Sequence, residues 1–309
     1  MHKLISVILI LFSSNLFAEE VHPCYTPPDE ANTNTIDIAY SYLTTKFCQP
    51  ALWFDSFFVD SRATEDARAG TMIRWYTDLT WEKAESPAFG MKLNARLNLP
   101  RFSKKLKLVI ESDDEEARVD SFGQPLASDE KDRTVGLQYD LKAEDRNSFN
   151  VKVTVRPSLE FRYRYTAPIS AKTTFRFTQK LYQKRKVTGE SSHVDFDHTI
   201  NPKFVLRWAN LARFESDVHD FELGTGLTLY QYISKRRAIS YKSGVTWYTK
   251  STPYVHNSHL SMVYRQNIFR KWLFYELIPE VNWDKEEDDG PTERNTKITF
   301  RLEVLFSNI

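Results

Sequence analysis

Apolar and polar side chains alternate with a period of two through most of this chain. In residues 73–82, for example, Trp75 and Leu79 alternate with Arg74 and Asp78. A period of two places successive side chains on opposite faces of a β-strand. The alternating segments run for about ten residues, which is the length of a tilted strand that crosses a membrane. The pattern therefore predicts an all-β chain whose strands could span a bilayer.

A soluble β-sandwich also alternates, so other features must decide between the two folds. The polar face is unusually charged, as at Arg162 and Arg164, and aromatic residues lie near the ends of the segments. Short turns also alternate with longer polar loops at 112–132 and 285–295. Aromatic girdles and short turns on one side are typical of outer-membrane barrels. We therefore predict an antiparallel transmembrane β-barrel of 12–14 strands over residues 69–309, counting the alternating segments.

The strand count depends on Pro157. Residues 149–165 form either one long bent strand or two strands joined by a turn at Arg156-Pro157-Ser158. We favour the turn, because an even number of strands returns both ends of the barrel to the same side of the membrane. Further short turns are predicted at Leu99-Pro100, Ala167-Pro168, Asn201-Pro202, 234–237 and 269–271.

The composition is compatible with a membrane barrel. The 309 residues include 42 basic and 41 acidic side chains, and the mean hydropathy is −0.50. A net charge near zero argues against a nucleic-acid-binding protein, which usually carries a basic excess. The low hydropathy does not exclude a barrel, because each lipid-facing residue is accompanied by a polar residue that faces the lumen.

Residues 1–18 have the features of a secretory signal peptide. Lys3 precedes an apolar run from Leu4 to Phe12, and Ala18 is the small residue before the cleavage site. Export together with a barrel predicts a protein of the Gram-negative outer membrane. The expected partners are outer-membrane lipid, lipopolysaccharide and the barrel assembly machinery.

Residues 19–68 form a predicted periplasmic segment that lacks the alternation. We expect a disulfide between Cys24 and Cys48, because an exported chain folds in an oxidising compartment. The segment could hold a periplasmic protein.

A short helix with a strongly aromatic side is predicted near the end of this segment. The helix could pack against the rest of the protein, lie in the membrane interface or close the barrel mouth. Its large apolar side chains are Trp53, Phe54, Phe57 and Phe58.

The C-terminal alternation Ile298-Phe300-Leu302-Val304-Phe306 resembles the terminal signal by which outer-membrane barrels are recognised for insertion. The stretch 264–281, together with 299–306, looks like an uncharacterised proteobacterial outer-membrane β-barrel family. The resemblance covers residues 53–306. It implies the fold and the location, and it carries no functional residue to this chain.

The polar face of the strands is predicted to line the lumen, with more basic than acidic groups. In an open pore a basic wall selects anions, since walls of low dielectric constant focus the field. In a closed barrel the same groups pair with lumen acids, and barrels of this size exist in both states. The candidate lumen-lining basic residues are Arg74, Arg96, Arg162, Arg164, Arg176, Lys180, Arg207 and Arg301. The candidate acidic partners are Glu160, Glu222, Glu276, Glu280 and Glu303.

Two sequence clusters were considered as catalytic centres. In His256-Asn257-Ser258-His259 the serine is flanked by possible bases, but no supporting acid is evident. In 193–198, two aspartates and a histidine share one strand face, an arrangement that could serve a protease or bind a divalent metal. Solvated strand ends explain both clusters better. We predict no enzyme, no cofactor and no metal, and therefore a narrow channel for small anionic solutes. The alternative is a closed structural or partner-binding barrel, with a surface hydrolase less favoured.

Overall fold

The computed structural model is a closed antiparallel β-barrel of 14 strands in which each strand pairs with its neighbours in sequence and β1 pairs with β14. This confirms the predicted fold class. The structure describes residues 50–58, 71–83, 86–99, 103, 105–111, 134–143, 146–184, 187–217, 220–249, 254–285 and 290–307. The predicted signal peptide and both cysteines, Cys24 and Cys48, lie outside these residues.

One helix, α1, spans Pro50–Phe57 and precedes the barrel. The first seven strands are β1 (Met72–Glu82), β2 (Ala88–Asn98), β3 (Leu106–Glu111), β4 (Thr134–Ala143), β5 (Asn147–Thr154), β6 (Ser158–Ser170) and β7 (Thr173–Lys184). The remaining seven are β8 (Val187–Asn201), β9 (Phe204–Glu215), β10 (Phe221–Ser234), β11 (Arg237–Tyr248), β12 (Tyr254–Asn267), β13 (Leu273–Asp284) and β14 (Glu293–Ser307).

The turns divide the barrel into two ends. We call the inner end the one at which β1 begins, β14 ends and two-residue turns join β6 to β7, β8 to β9 and β10 to β11. The outer end is opposite, and it carries the connections after β3 and β13. Because short turns face the periplasm in outer-membrane barrels, the inner end is the periplasmic one.

Two of the turn predictions have clear outcomes. β5 ends at Thr154 and β6 begins at Ser158, so the turn at Pro157 and the even strand count are confirmed. The turn predicted at Ala167-Pro168 is wrong, because both residues still pair with β7. A bulge between Pro168 and Ser170 accommodates the proline, which lacks a ladder donor, at the end of the strand.

The outward face of the strands is apolar. Trp75, Leu137, Leu181 and Leu260 are between 44% and 55% exposed, values that are high for large apolar side chains. Their sequence neighbours on the opposite face are buried and mostly polar. Aromatic residues lie at both ends of this face, and near the inner end Trp272 stacks on Phe306 with 5.6 Å between ring centroids. An apolar band with aromatic rings at its edges matches a lipid environment.

Helix α1 lies inside the barrel at the inner end. Pro50 occupies the first helical position, where its missing N–H costs nothing. Phe54 is fully buried against Val205 of β9 and Tyr230 of β10. Of the three positions predicted for this helix, packing against the rest of the protein is confirmed, and the contacts are with lumen-facing residues at the inner end. No helix in the described ranges is long and apolar enough to cross a membrane.

Candidate functional site

The lumen wall is the candidate functional surface of this barrel. The strand register places each of the eight predicted basic residues on the inward face, and seven of them are at most 8% exposed. The eighth, Arg301 of β14, is half-buried. The wall is not uniformly basic, however, because several of these residues are tied to acids.

A buried ion-pair cluster at the inner half of the wall centres on Glu303 of β14. Arg265 of β12 donates to both of its carboxylate oxygens, at 2.6 and 3.0 Å, and Arg74 of β1 donates at 3.0 Å. Arg265 also bonds Glu276 of β13. Arg265 and Glu303 are completely buried, so this cluster is held together by charges that have no access to water.

Arg301 extends the cluster along the wall. It donates to both carboxylate oxygens of Asp78 on β1, at 2.7 and 3.0 Å, and lies 3.4 Å from Glu276. Its guanidinium also stacks over the ring of Tyr76, 4.2 Å from the centroid. Three arginines and three carboxylates therefore balance each other across β1, β12, β13 and β14.

A second ion-pair cluster attaches α1 to the wall. Asp55 of α1 is 1% exposed and accepts a hydrogen bond of 2.6 Å from Arg207 of β9. The same guanidinium donates to Asp197 of β8 and to the hydroxyl of Tyr230. Arg176 of β7 lies 3.8 Å from Asp55. A buried carboxylate on the helix is thus fixed by cations that belong to the barrel.

Aromatic packing holds the other side of α1. Trp53 contacts Tyr232 of β10 edge-to-face at 5.0 Å, and Phe54 stacks on Tyr230 at 5.1 Å. Phe57 meets Phe274 of β13 at 5.9 Å. The helix is therefore anchored to strands on two sides of the inner mouth.

The ion pairs among the described strands follow the wall instead of crossing the lumen. Lys107 of β3 pairs with Asp140 of β4 at 3.1 Å, and Lys297 of β14 pairs with Glu280 of β13 at 3.1 Å. Lys152 of β5 reaches Glu111, which is two strands away on β3, at 3.3 Å. In these pairs the partners sit on neighbouring or next-but-one strands. The pairs stiffen the wall without bridging the lumen.

The remaining predicted basic residues concentrate on β6 and β7. Arg162 faces Lys180 directly in the register, and Arg164 and Arg176 lie on the same inward faces. Glu160, 2.8 Å from Arg162, is the acid of β6 in this group. Directly opposite side chains in an antiparallel pair have Cβ atoms about 5 Å apart. This basic cluster is the most positive part of the described wall. Arg96 of β2 lies apart from it, 3.6 Å from Glu111.

The structure does not assemble either candidate catalytic cluster. Ser258 pairs with Val245 and Trp283 on the outward face of the barrel, whereas His256 and His259 are buried on the lumen side. His193, Asp195 and Asp197 do share the inward face, but Asp197 is engaged by Arg207 near the inner end.

His198 points outward and bonds Thr173. Within the described ranges, no group of three or more His, Cys, Asp or Glu side chains is arranged to hold a metal ion.

Several residues of the ion-pair clusters were missed by sequence reasoning. Arg265 lies on the strand face opposite to that of Tyr264, so the period of two was sufficient to predict that Arg265 faces the lumen. Asp78 and Asp140 occupy polar positions of the period-two pattern, as the predicted basic residues do, so they could also have been predicted to face the lumen. Asp55 had no such signal, because its helix was recognised only by its aromatic side.

The closed sheet, the apolar exterior and the charged lumen define a transmembrane β-barrel of the outer-membrane class. The protein is located in the outer membrane of a Gram-negative bacterium.

Comparison with known proteins finds outer-membrane proteins among the solved structures. No family model and no curated protein matches the sequence. Among solved structures, the chain is similar to the outer membrane channel DcaP of Acinetobacter baumannii, with 8% identity, a TM-score of 0.47, and 78% of this chain and 99% of that chain covered. It is similar to the CymD monoaromatic hydrocarbon channel, with 8% identity, a TM-score of 0.48, and coverage of 85% and 92%.

It is also similar to a loop L8 deletion mutant of OmpT, an outer membrane protein of Vibrio cholerae. That match has 9% identity, a TM-score of 0.46, and coverage of 78% and 100%. The likeness concerns the barrel fold, and nothing about the function of this chain is taken from it.

Proposed function

We propose that this protein is an outer-membrane channel for small polar solutes, with a preference for anions, and that α1 closes it from the periplasmic side. The observation that carries the proposal is the direction of the lumen ion pairs. The pairs named above run along the wall between near-neighbour strands, an arrangement that is compatible with an open axis.

The size of the barrel supports a conducting lumen. Barrels of about eight strands are filled by their own side chains, whereas barrels of 16–18 strands leave an aqueous channel. A barrel of 14 strands lies nearer to the second group. Helix α1 is the described element that fills the inner mouth, and its attachment depends on a few contacts around Asp55 and Phe54.

The preference for anions is assigned to the basic cluster on β6 and β7. Arg162, Arg164, Arg176 and Lys180 contribute positive potential to one side of the lumen, and low-dielectric walls focus such a field. Arg74, Arg207 and Arg301 are assigned a structural role, because their carboxylate partners join strands of the wall or attach α1. Arg162 and Arg176 also lie near carboxylates, Glu160 at 2.8 Å and Asp55 at 3.8 Å, so the test below changes Arg164 and Lys180.

Planar-bilayer conductance of the full chain tests the closure. We expect the wild-type protein to be mostly closed, and Asp55→Ala to raise the open probability about tenfold or more, since losing a charge-assisted hydrogen bond costs at least about 1.5 kcal/mol. Ser56→Ala is the matched control, because Ser56 lies on the exposed side of the same helix. A silent Asp55→Ala variant would contradict the channel function.

Reversal potentials in a salt gradient test the anion preference. The double substitution Arg164→Gln and Lys180→Gln is expected to bring the anion-to-cation permeability ratio of the Asp55→Ala background close to unity. The exposed Lys172→Gln in the turn after β6 should leave the ratio unchanged. A channel that prefers cations before any substitution would overturn this part of the proposal.

A closed structural or partner-binding barrel is the second candidate function. The complete burial of Arg265 and Glu303 favours it, because buried ion pairs fix a single arrangement of the wall. This candidate gains support if Asp55→Ala and Phe54→Ala both remain silent in bilayers while the barrel stays folded.

The sequence features outside the described residues belong to the same proposal. We propose that residues 1–18 direct export, that Cys24 and Cys48 form a disulfide in the periplasm, and that residues 19–68 are available to a periplasmic protein. Membership of the proteobacterial barrel family named above is likewise proposed. Contact with lipopolysaccharide and the barrel assembly machinery is the expected consequence of the location.

A further inference from the structure

We propose that the outer end of the lumen contains a binding site for a neutral, hydroxyl-rich solute such as a sugar, formed by Thr246, His256, Asn257, His259 and Asn282. This inference deepens the proposed channel function by naming a class of solute. Transport of that solute rests on the channel function, whereas binding of it can be measured without conduction.

The strand register brings the five side chains together. Thr246 of β11 lies opposite Asn257 of β12, and His259 of β12 lies opposite Asn282 of β13. Asn257 and His259 are two residues apart and therefore share one face of β12. Asn257, His259 and Asn282 are at most 9% exposed, and Thr246 is 1% exposed.

A β-bulge adds His256 to the same face. Thr246 pairs with Asn257 and Trp247 pairs with Val255, so His256 is the extra residue on β12. The bulge shifts the parity of the strand, with the result that His256 and Asn257 are both buried on the lumen side although they are adjacent in sequence. Bulges commonly redirect side chains next to functional sites.

The polar groups of this site are buried without protein partners. Thr246 Oγ1, Asn257 Oδ1, His259 Nδ1, Asn282 Oδ1 and the Nδ1 of His256 form no hydrogen bond, whereas the Nε2 of His256 faces Glu222 at 3.6 Å. Buried polar groups are hydrogen-bonded in the large majority of cases, because each unsatisfied group costs about 1–3 kcal/mol. A concentration of such groups on three adjacent strands points to a ligand that supplies the missing bonds.

Two of these groups are fixed as acceptors. The amide nitrogen of Asn257 donates to Asp284 at 2.5 Å, and that of Asn282 donates to Glu280 at 2.7 Å. An ionised carboxylate can only accept, so neither amide can be reversed, and both carbonyl oxygens must face hydrogen-bond donors. A ligand for this site therefore carries at least two donors.

The carboxylates around the site already have partners, which favours a neutral ligand. Glu280 is paired with Lys297 at 3.1 Å, and Glu222 lies 3.3 Å from Arg213 and 3.6 Å from His256. Asp284 is occupied by the amide of Asn257. The unsatisfied groups are imidazoles, amide oxygens and a hydroxyl, whereas a hard divalent cation requires available carboxylates. Hydroxyl groups, which both donate and accept, fit this set.

Aromatic rings border the site on β11 and β12. The ring of Tyr248 stacks on that of His256, with 4.8 Å between centroids and 20° between planes, and Tyr254 lies opposite Tyr248 in the register. Binding sites typically combine such apolar surface with a few placed polar groups. A sugar ring has hydroxyls at its rim and C–H groups on its faces, so it matches both elements.

Calorimetric titration of the folded full-length chain with glucose, sucrose and maltotriose tests the proposal. We expect at least one of them to bind, and Thr246→Val to weaken that binding about tenfold, because one hydrogen bond to a buried group is lost. Valine keeps the shape of threonine, and the hydroxyl has no protein partner, so the barrel should remain folded. Thr246→Ser restores the hydroxyl and should restore most of the affinity.

The control is Thr228→Val, the same substitution at an equally buried lumen position on β10. It should leave sugar binding unchanged. Absence of binding by all three sugars, or equal binding by wild type and Thr246→Val, would overturn the site. Binding of Zn²⁺ or Ca²⁺ without any sugar would overturn it as well. Because calorimetry needs no open pore, a silent protein that binds sugar would reject the channel and keep the site.

Discussion

The two halves of the lumen differ in the chemistry of their buried polar groups, which are mainly paired charges in one half and neutral groups in the other. At the inner half, Arg265, Glu303, Arg207 and Asp55 are buried in mutual ion pairs, and α1 packs over them. At the outer half, a patch of neutral polar groups around Asn257 is buried without protein partners. Under the proposals above, the inner half holds one arrangement of the wall and the outer half binds a solute.

The largest difference between the halves should appear when Glu303 is removed. Glu303→Ala leaves Arg265 and Arg74 buried without their common carboxylate, which we expect to destabilise the barrel by about 3–5 kcal/mol. Unfolding in guanidinium from detergent micelles measures this loss. Glu303→Gln keeps the shape and should lose less. A loss below about 1 kcal/mol would show that the cluster does not rigidify the wall.

The inner cluster also shows which structural features could be predicted from the sequence and which could not. Alternation predicted the barrel, the turn at Pro157 and the inward position of Arg74 and Arg301, because parity depends only on local sequence. It did not predict that Arg301 bonds Asp78, since the partner depends on the register between β1 and β14, whose residues are more than 200 positions apart in the chain. Assigning the basic residues as a set thus overstated the positive charge of the wall.

The polar patch of the outer half was not predicted from the sequence, for a different reason. His256, Asn257 and His259 were predicted to lie around Ser258 at a solvated end, and that prediction is wrong because both histidines are buried. The bulge places His256 and Asn257 on one face and leaves Ser258 on the other. One inserted residue is invisible to a period-two pattern, because the shift shows only in the pairing with β11.

A second prediction concerns the attachment of α1. Phe54→Ala removes a completely buried ring from its contacts with Val205 and Tyr230, so we expect the docking of the helix to weaken by about 3 kcal/mol. Thiol labelling of an Ala51→Cys reporter, at a buried position of the same helix, should then become faster. Phe58→Ala, at a half-buried ring, is the control with a smaller effect. Unchanged labelling in the Phe54 variant would mean that the ion pairs alone hold the helix.

A third prediction tests whether the docking of α1 depends on the positive charge of Arg207 or on the geometry of its hydrogen bonds. Arg207→Lys keeps the positive charge but cannot bond Asp55, Asp197 and Tyr230 together, because an ammonium lacks the planar fork of a guanidinium. We expect about 1–2 kcal/mol of weaker helix docking, reported by the same Ala51→Cys labelling. Labelling as slow as in the parent would show that the positive charge at this position is sufficient.

The smallest effect is expected from the substitution of threonine by valine at two buried lumen positions. Thr246→Val deletes a hydroxyl that has no protein partner, whereas the equally buried hydroxyl of Thr228 is not among the buried groups that lack a hydrogen bond. Without solute, the first should leave the free energy of unfolding unchanged or raise it by up to about 1 kcal/mol, and the second should lower it by about 1 kcal/mol. Paired guanidinium unfolding curves measure both. Equal losses would mean that the outer polar groups stabilise the barrel as the inner ones do, and the distinction between a rigid half and a receptive half would no longer hold.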